Sequence, residues 1–443
     1  MRLLGILLPL LALSLSACDD DPAATDKASR RFFLPTGEPT NTSAPVLETD
    51  ASGRLHAAYP AYSRGGAYYA TCASTCTRPE DFAVVRLETV GTVANASLAL
   101  TAEGHPRLLL STGSSTYFAT CDVDCATPGG WTTTRILDHG GVREVTGEAL
   151  ALDPAGRPRF LSHTYRAYLG IGQKPYETQF VQCDADCSDP ASWRASAISQ
   201  QNWQGTHLRF DAKGRAHVAT VASDWPGAGP LRNRAAYLEC DADCDRPESW
   251  NGTGLVEAYE NLVAAVRIEP TVSLALTRDG RPRVLTLEKR DDGQKSLIYF
   301  ACDDACTNGE RWTGIRLSDQ EKLAAGLDLA LDAQDHPRYV YTLDYDIVLG
   351  RCDGDHCESD ETGWSLEKVE SGRDMKPDQI FLEPNCTVAA WFLHSPSLAI
   401  GADGKPRIGY QARDISGGLS RPDPTKPRCV AGTDMTWSRI ALP

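Results

Sequence analysis

An all-β fold is predicted by three features of this 443-residue chain. A unit of four short apolar or alternating segments recurs in the same order along most of its length. The recurrences share a punctuation, with single departures: a glycine turn, a close pair of cysteines and then an aromatic residue. No stretch sustains the 3.6-residue apolar period with which a helix buries one face.

The clearest copy begins Ser-Leu-Ala-Leu-Thr at 97, turns through Ala-Glu-Gly-His-Pro and continues Arg-Leu-Leu-Leu-Ser to 111. A third segment leads to Cys121-Asp-Val-Asp-Cys125, and a fourth starts at Trp131. The turn glycine recurs at Gly53, Gly104, Gly156, Gly214, Gly280 and Gly404, with Asp335 in its place once. Glycine supplies the positive φ of a tight turn, and a short polar residue tolerates it. Three positions on stands a basic residue: His56, Arg107, Arg159, His217, Arg283, Arg338 and Arg407. The aromatic after each cysteine pair is Phe82, Trp131, Trp193, Trp250, Trp312 or Trp364, and Trp437 is expected to close a seventh copy.

Seven units of four strands resemble the blades of a β-propeller, in which radial closure leaves only short, protected sheet edges. The element Leu-Ala-Leu-Asp-x-x-Gly-x-Pro-Arg, as at 150–159, is similar to propeller repeats of uncharacterised secreted bacterial proteins. The expectation is a seven-bladed β-propeller of four-stranded blades over 45–443, with one disulfide per blade. The blades fall at about 45–90, 96–138, 148–199, 206–256, 271–318, 326–370 and 396–443. The segment Ser29–Pro35 resembles the terminal Trp437–Pro443, so it either zips the last blade or merely precedes the first. The resemblance implies a fold and leaves function to be argued from a site.

At the amino end, Arg2 and an apolar run to Ser16 end in Leu15-Ser16-Ala17-Cys18. The run is too short to span a bilayer but suits a signal peptide. Its end resembles a bacterial lipoprotein leader, which implies cleavage of 1–17, lipid on Cys18 and an acidic tether within 18–44. The expected location is a bacterial cell envelope, with the lipid as sole anchor, facing the periplasm or the exterior.

Beyond Cys18 there are 14 cysteines, an even number in an exported chain, so disulfides are the default. The close pairs are Cys72 with Cys76, Cys121 with Cys125, Cys183 with Cys187, Cys240 with Cys244, Cys302 with Cys306 and Cys352 with Cys357. Each sits at a hairpin that brings two Cα atoms within bridging distance. Cys386 and Cys429 pair by elimination. The hairpins lie on different blades, too far apart to share the four ligands of a zinc ion. The aspartates of Cys-Asp-x-Asp-Cys, and the richer set Asp353, Asp355, Glu358 and Asp360, make calcium the weak alternative to no cofactor.

Asp plus Glu is 59 against 44 Lys plus Arg, a formal charge of −15. An acidic chain without a basic, aromatic-interleaved patch is a poor partner for nucleic acid. Its 42% apolar content is too high for a disordered chain. No G-x-S-x-G, H-E-x-x-H, phosphate loop or dinucleotide fingerprint is present, so no catalytic residue is nominated. The turns also differ from the S-x-D-x-G-x-x-W boxes of sialidase-like propellers.

Recognition is expected on the ring face that carries the long, variable loops. Candidate ligand-binding residues there are His163, Tyr165, Tyr168, Trp203, Trp225, Arg232, Trp391 and His394, suited to a glycan or an envelope protein. Packing of Trp203, Trp225 and Trp391 onto the ring is the competing expectation. Two innermost-strand positions break pattern: Glu48 and Arg209 stand where five other blades carry Ala99, Ala151, Ala275, Ala330 and Ala399. They line a polar channel mouth, where His207 would join Arg209, or pair locally with neighbouring blades. The reading is a lipid-anchored binding scaffold. Its rivals are a polysaccharide-active hydrolase or lyase at the channel mouth and a purely structural envelope protein.

Overall fold

The computed structural model describes residues 30–442 except 38–40, 62–64, 74–75, 139–144, 166–175, 224–232, 259–270, 291, 320–322, 355, 360–361, 376–385, 388–390, 415–418 and 421–435. Seven antiparallel four-stranded sheets and one two-stranded ribbon account for the strands. Six sheets each take four consecutive strands, so every blade is a meander from centre to rim. Their innermost strands pack side by side in chain order, and that of the seventh, Trp391–Ile400, meets that of the first, Val46–Thr49. The chain is a seven-bladed β-propeller.

The seventh blade is composite. Its outermost strand is Arg31–Phe33, which pairs with Thr436–Ala441 so that Arg31 faces Ala441 and Phe32 faces Ile440. Ser29–Pro35 therefore contains the zipper. Trp437 accordingly lies in a third strand, opposite Ala412, and does not head an outermost strand as expected. Its ring meets Trp391 at 5.4 Å and Phe33 at 6.4 Å, so the closure is sealed by aromatics from both ends of the chain. Because Arg31 pairs with Ala441 at the end of a third strand, the closing strand begins on the face of the cysteine turns.

The repeat's punctuation has a physical reason at each mark. The turn glycines take φ of 73–86° and Asp335 takes 65°, the left-handed region anticipated for them. In blades 1, 3, 4 and 6 an aspartate opens the turn and accepts two backbone N–H groups, as Asp153 does from Ala155 and Arg157 at 3.0 Å each.

The six close cysteine pairs all form disulfides, with Cα separations of 5.6–5.9 Å. Cys72 is bonded to Cys76 in blade 1, Cys121 to Cys125 in blade 2 and Cys183 to Cys187 in blade 3. Cys240 is bonded to Cys244 in blade 4, Cys302 to Cys306 in blade 5 and Cys352 to Cys357 in blade 6. The expected seventh bridge, between Cys386 and Cys429, is not among them. Cys386 lies in the ribbon strand Cys386–Thr387, but Cys429 falls outside the described residues, as do Cys18 and the expected leader 1–17.

The second aspartate of Cys-Asp-x-Asp-Cys bends the chain: Asp124, Asp186 and Asp243 have φ of 55°, 52° and 53°. The first aspartate receives the repeat arginine. Arg107, Arg159 and Arg283 each donate to the carbonyl of the first cysteine and to the next aspartate (Asp122, Asp184, Asp303), at 2.5–3.2 Å. In blades 2 to 5 the tryptophan then donates its indole N–H to the second cysteine's carbonyl: Trp131 to Cys125 at 3.0 Å, Trp193 to Cys187 at 2.9 Å, and Trp250 to Cys244 and Trp312 to Cys306 at 2.8 Å. It also packs edge-on against a third-strand ring of the preceding blade: Tyr69–Trp131 at 4.7 Å, Phe118–Trp193 at 5.0 Å and Tyr237–Trp312 at 4.9 Å. One residue thus locks its own hairpin and joins two blades. Among the described residues no helix is long and apolar enough to cross a membrane.

Candidate functional site

The seven innermost strands enclose a cavity of about 580 Å³ along the ring axis. Side chains of an innermost strand alternate between faces, so residues two apart enter the cavity as successive layers. The layer beside the first turn holds Ala275, Ala330 and Ala399, together with Glu48 and Arg209. The next layer holds Ser97, Ala149, His207, Asp328 and Ser397. Deeper still, the innermost strands of blades 4, 6 and 7 bulge where Gly205, Gly326 and Ser395 take positive φ, which breaks the ladder and opens the channel.

These polar groups do different work. Asp328 is a structural clamp: it accepts from Ser273 Oγ at 2.8 Å, from the Leu329 N–H at 2.9 Å and from the Leu398 N–H at 2.8 Å. Three blades are thereby tied at the axis. Burial raises its carboxyl above the ordinary range, and those donors pull it back. Glu48 accepts no hydrogen bond among the described residues. Burial pushes it up to about 7, Arg209 opposes that and Asp328 adds to it. Arg209 donates to the Leu208 carbonyl at 3.1 Å and forms no ion pair among the described residues. His207 is held neutral, lowered to about 3 by burial and then by Arg209, with Nδ1 3.4 Å from Ser273 Oγ.

The Glu48 shift has a measurable consequence. An acid whose folded pKa is raised favours the folded state fully below its unfolded value near 4.5, and that contribution is lost as pH rises through about 7. At 1.36 kcal/mol per unit, the loss is on the order of 3 kcal/mol. Glu48→Gln removes it. Urea unfolding at about pH 5 and pH 8 checks this, since the variant gains stability over the parent only at the higher pH.

Of the expected site residues, the cavity gathers Glu48, His207, Arg209 and His394. His394 lies against Ser395 Oγ at 2.9 Å and stacks on Phe392 at 5.0 Å. His163 is elsewhere, a core histidine between Thr178 and Thr206 at 3.1 and 3.2 Å, lowered to about 3 by burial. Trp203 and Trp391, for which exposure on the loop face and packing onto the ring were the two expectations, are 3% and 2% exposed. Trp203 meets Trp250 at 6.5 Å, and Trp391 packs against Phe33 at 5.8 Å in the closure. Tyr168, Trp225 and Arg232 fall outside the described residues, and Tyr165 is described only as the end of the strand Pro158–Tyr165. The charged layer sits at the end of the channel nearer the short turns, not at the variable loops.

The acids proposed for calcium are held by arginines. Asp353 meets Arg338 at 2.5 Å and Glu358 meets Arg283 at 2.5 Å, whereas Asp355 and Asp360 fall outside the described residues. Asp332, His336 and Asp353 do converge within 4.8 Å. Arg338, however, donates to both carboxylates, at 2.8 and 2.5 Å, and places a cation where a metal would sit.

Comparison with known proteins follows the architecture. No family model matches the chain, and a search of curated proteins found no relative. Among solved structures it is similar to the polysaccharide lyase Uly1, at 10% identity and a TM-score of 0.48, over 93% of this chain and 92% of that one. It is also similar to the GH93 α-L-arabinofuranosidase of Fusarium graminearum in complex with arabinobiose, at 8% identity and a TM-score of 0.46, over 76% and 97%. A third is the α-L-arabinanase of Penicillium chrysogenum complexed with arabinobiose, at 14% and 0.45, over 76% and 96%. The fold assignment stands on strand order and ring closure, independent of these overlaps.

Proposed function

We propose that the protein is an exported glycan-binding propeller, carried on a cell-envelope membrane by lipid on Cys18, that takes a saccharide into its central channel. The observation that carries this reading is the juxtaposition of Glu48, His207 and Arg209, with unspent hydrogen-bonding capacity, in a cavity of about 580 Å³. That volume is in the range of small-molecule sites, which combine mostly apolar walls with a few convergent polar groups. Alanine at the equivalent positions of five blades leaves the space that a sugar ring needs.

Calorimetric titration of the oxidised protein with a panel of neutral and acidic oligosaccharides tests the proposal. One class should bind, and Arg209→Ala should weaken it at least tenfold, about 1.4 kcal/mol, at an unchanged melting temperature. Equal affinity in parent and variant would move the site out of the channel, to the variable loops and to a protein partner. One observation favours a second reading, hydrolysis or elimination of a polysaccharide: Glu48, held near neutrality, is suited to general acid or base work. Turnover of a panel member that disappears in Glu48→Gln would establish it.

A further inference from the structure

We infer that the channel site is selective for a ligand bearing a carboxylate, such as a uronate-type sugar, with Arg209 as the anchor and Glu48 as an opposing charge that gates it. This rests on the channel reading above and names the ligand chemistry of that site.

The argument starts from what the other arginines do. Each repeat arginine on a second strand is neutralised: Arg107 by Asp122, Arg159 by Asp153 and Asp184, Arg283 by Asp303 and Glu358, Arg338 by Asp332 and Asp353, Arg407 by Asp403. Arg209 has been placed one strand inward, where its neighbours in the layer are alanines, and has one carbonyl partner for a fork of five N–H donors. A guanidinium away from bulk water is costly when unpaired, and a planar two-oxygen anion satisfies it best. The carboxylates within its field do not do this. Asp328 is occupied by three donors from blades 5, 6 and 7, and Glu48 stays beyond ion-pair distance. A second unspent donor faces the same space: Gln411 is 2% exposed, lines the cavity, and its Nε2 has no partner among the described residues. A ligand combining one carboxylate with hydroxyl oxygens would use both.

Glu48 sets the pH dependence. The titratable groups facing it are His207 and Arg209 of the blade 4 strand, Asp328 of the blade 6 strand and His394 of the adjoining blade 7 strand. The adjoining blade 2 strand contributes Asn95 and Ser97, and the blade 5 strand contributes no charge. Its cross-strand partner His56 is turned to Tyr69 and Asp50. Burial holds His207 neutral, and burial brings the charge change of Glu48 up to about 7, into the range where the site is tested. Protonated, it leaves an anion facing Arg209. Ionised, it repels that anion.

The experiment is calorimetric titration with tri-galacturonic acid and with its methyl ester, at about pH 5.5 and pH 8.5, where the uronate is ionised throughout. The parent should bind the acid about tenfold tighter than the ester at the lower pH and lose most of that preference at the higher. Glu48→Gln should keep the preference at both, and Arg209→Gln should abolish it while Arg209→Lys retains part. Acid and ester bound alike by the parent would overturn the anion selectivity and leave the channel reading intact. Binding of neither would overturn both. A pH dependence that persists in Glu48→Gln would overturn the gate. Melting temperatures verify that the variants are folded.

Discussion

Arg439→Met will lower the unfolding free energy by about 3–5 kcal/mol, the cost of stranding one member of a buried ion pair. Arg439 is 3% exposed, and its Nε and Nη2 each donate to the Glu370 carboxylate at 2.6 Å. The Tyr410 hydroxyl donates to the same carboxylate, and the guanidinium lies 4.8 Å above the Phe33 ring. Glu370 belongs to blade 6, Tyr410 and Arg439 to blade 7, and Phe33 to the closing strand. One network therefore joins the last two blades to the clasp. Without Arg439 the carboxylate stays buried on a single hydroxyl. The double variant Glu370→Leu with Arg439→Met should recover most of the loss, because no charge is then left behind. Urea denaturation of the three proteins decides it, and a single-variant loss below about 1 kcal/mol would show that water reaches Glu370.

Reduction of the bridges will have a larger effect. Each closes a loop of five or six residues, which by chain entropy contributes about 2 kcal/mol. Six together reach the order of 10 kcal/mol, comparable with the whole stability of an ordinary domain. The reduced protein is expected to unfold at ambient temperature in low urea, with twelve thiols released from the six described bridges. A midpoint unaffected by reductant would mean that the Arg, Asp and Trp contacts hold these turns unaided.

Much of the fold was legible because the repeat spells out its own physics. Gly53 and its equivalents mark left-handed turns, the cysteine pairs mark hairpins, and the tryptophans mark blade contacts. Asp335 is the instructive exception, a polar residue adopting the glycine conformation at φ 65°. The seventh blade was harder to read. Trp437 has the look of a closing aromatic, but the strand that closes the blade comes from some 400 residues away, and local pattern cannot show a partner at that distance. The site was half visible. Glu48 and Arg209 stood out against alanine, whereas Asp328 was hidden inside an apolar strand, Leu-Asp-Leu-Ala-Leu. Reading the repeats two residues earlier, at Ser97, His207, Ser273, Asp328 and Ser397, would have exposed that layer. Trp203 and Trp391 were left with two readings because a tryptophan in a variable segment looks the same whether it faces water or the neighbouring blade.

The clasp at Arg31–Phe33 has a mechanical consequence. Twelve residues separate Cys18 from Arg31, so with the lipid anchor proposed above the leash and the latch would be one continuous segment. Tension on an anchored Cys18 reaches the ring first through three rungs to Thr436–Ala441 and the buried side chains of Phe32 and Leu34. Proteolysis ahead of Arg30 would shed a ring that is still latched. A cut just past Phe33 would leave the latch on the leash and the ring able to spring open.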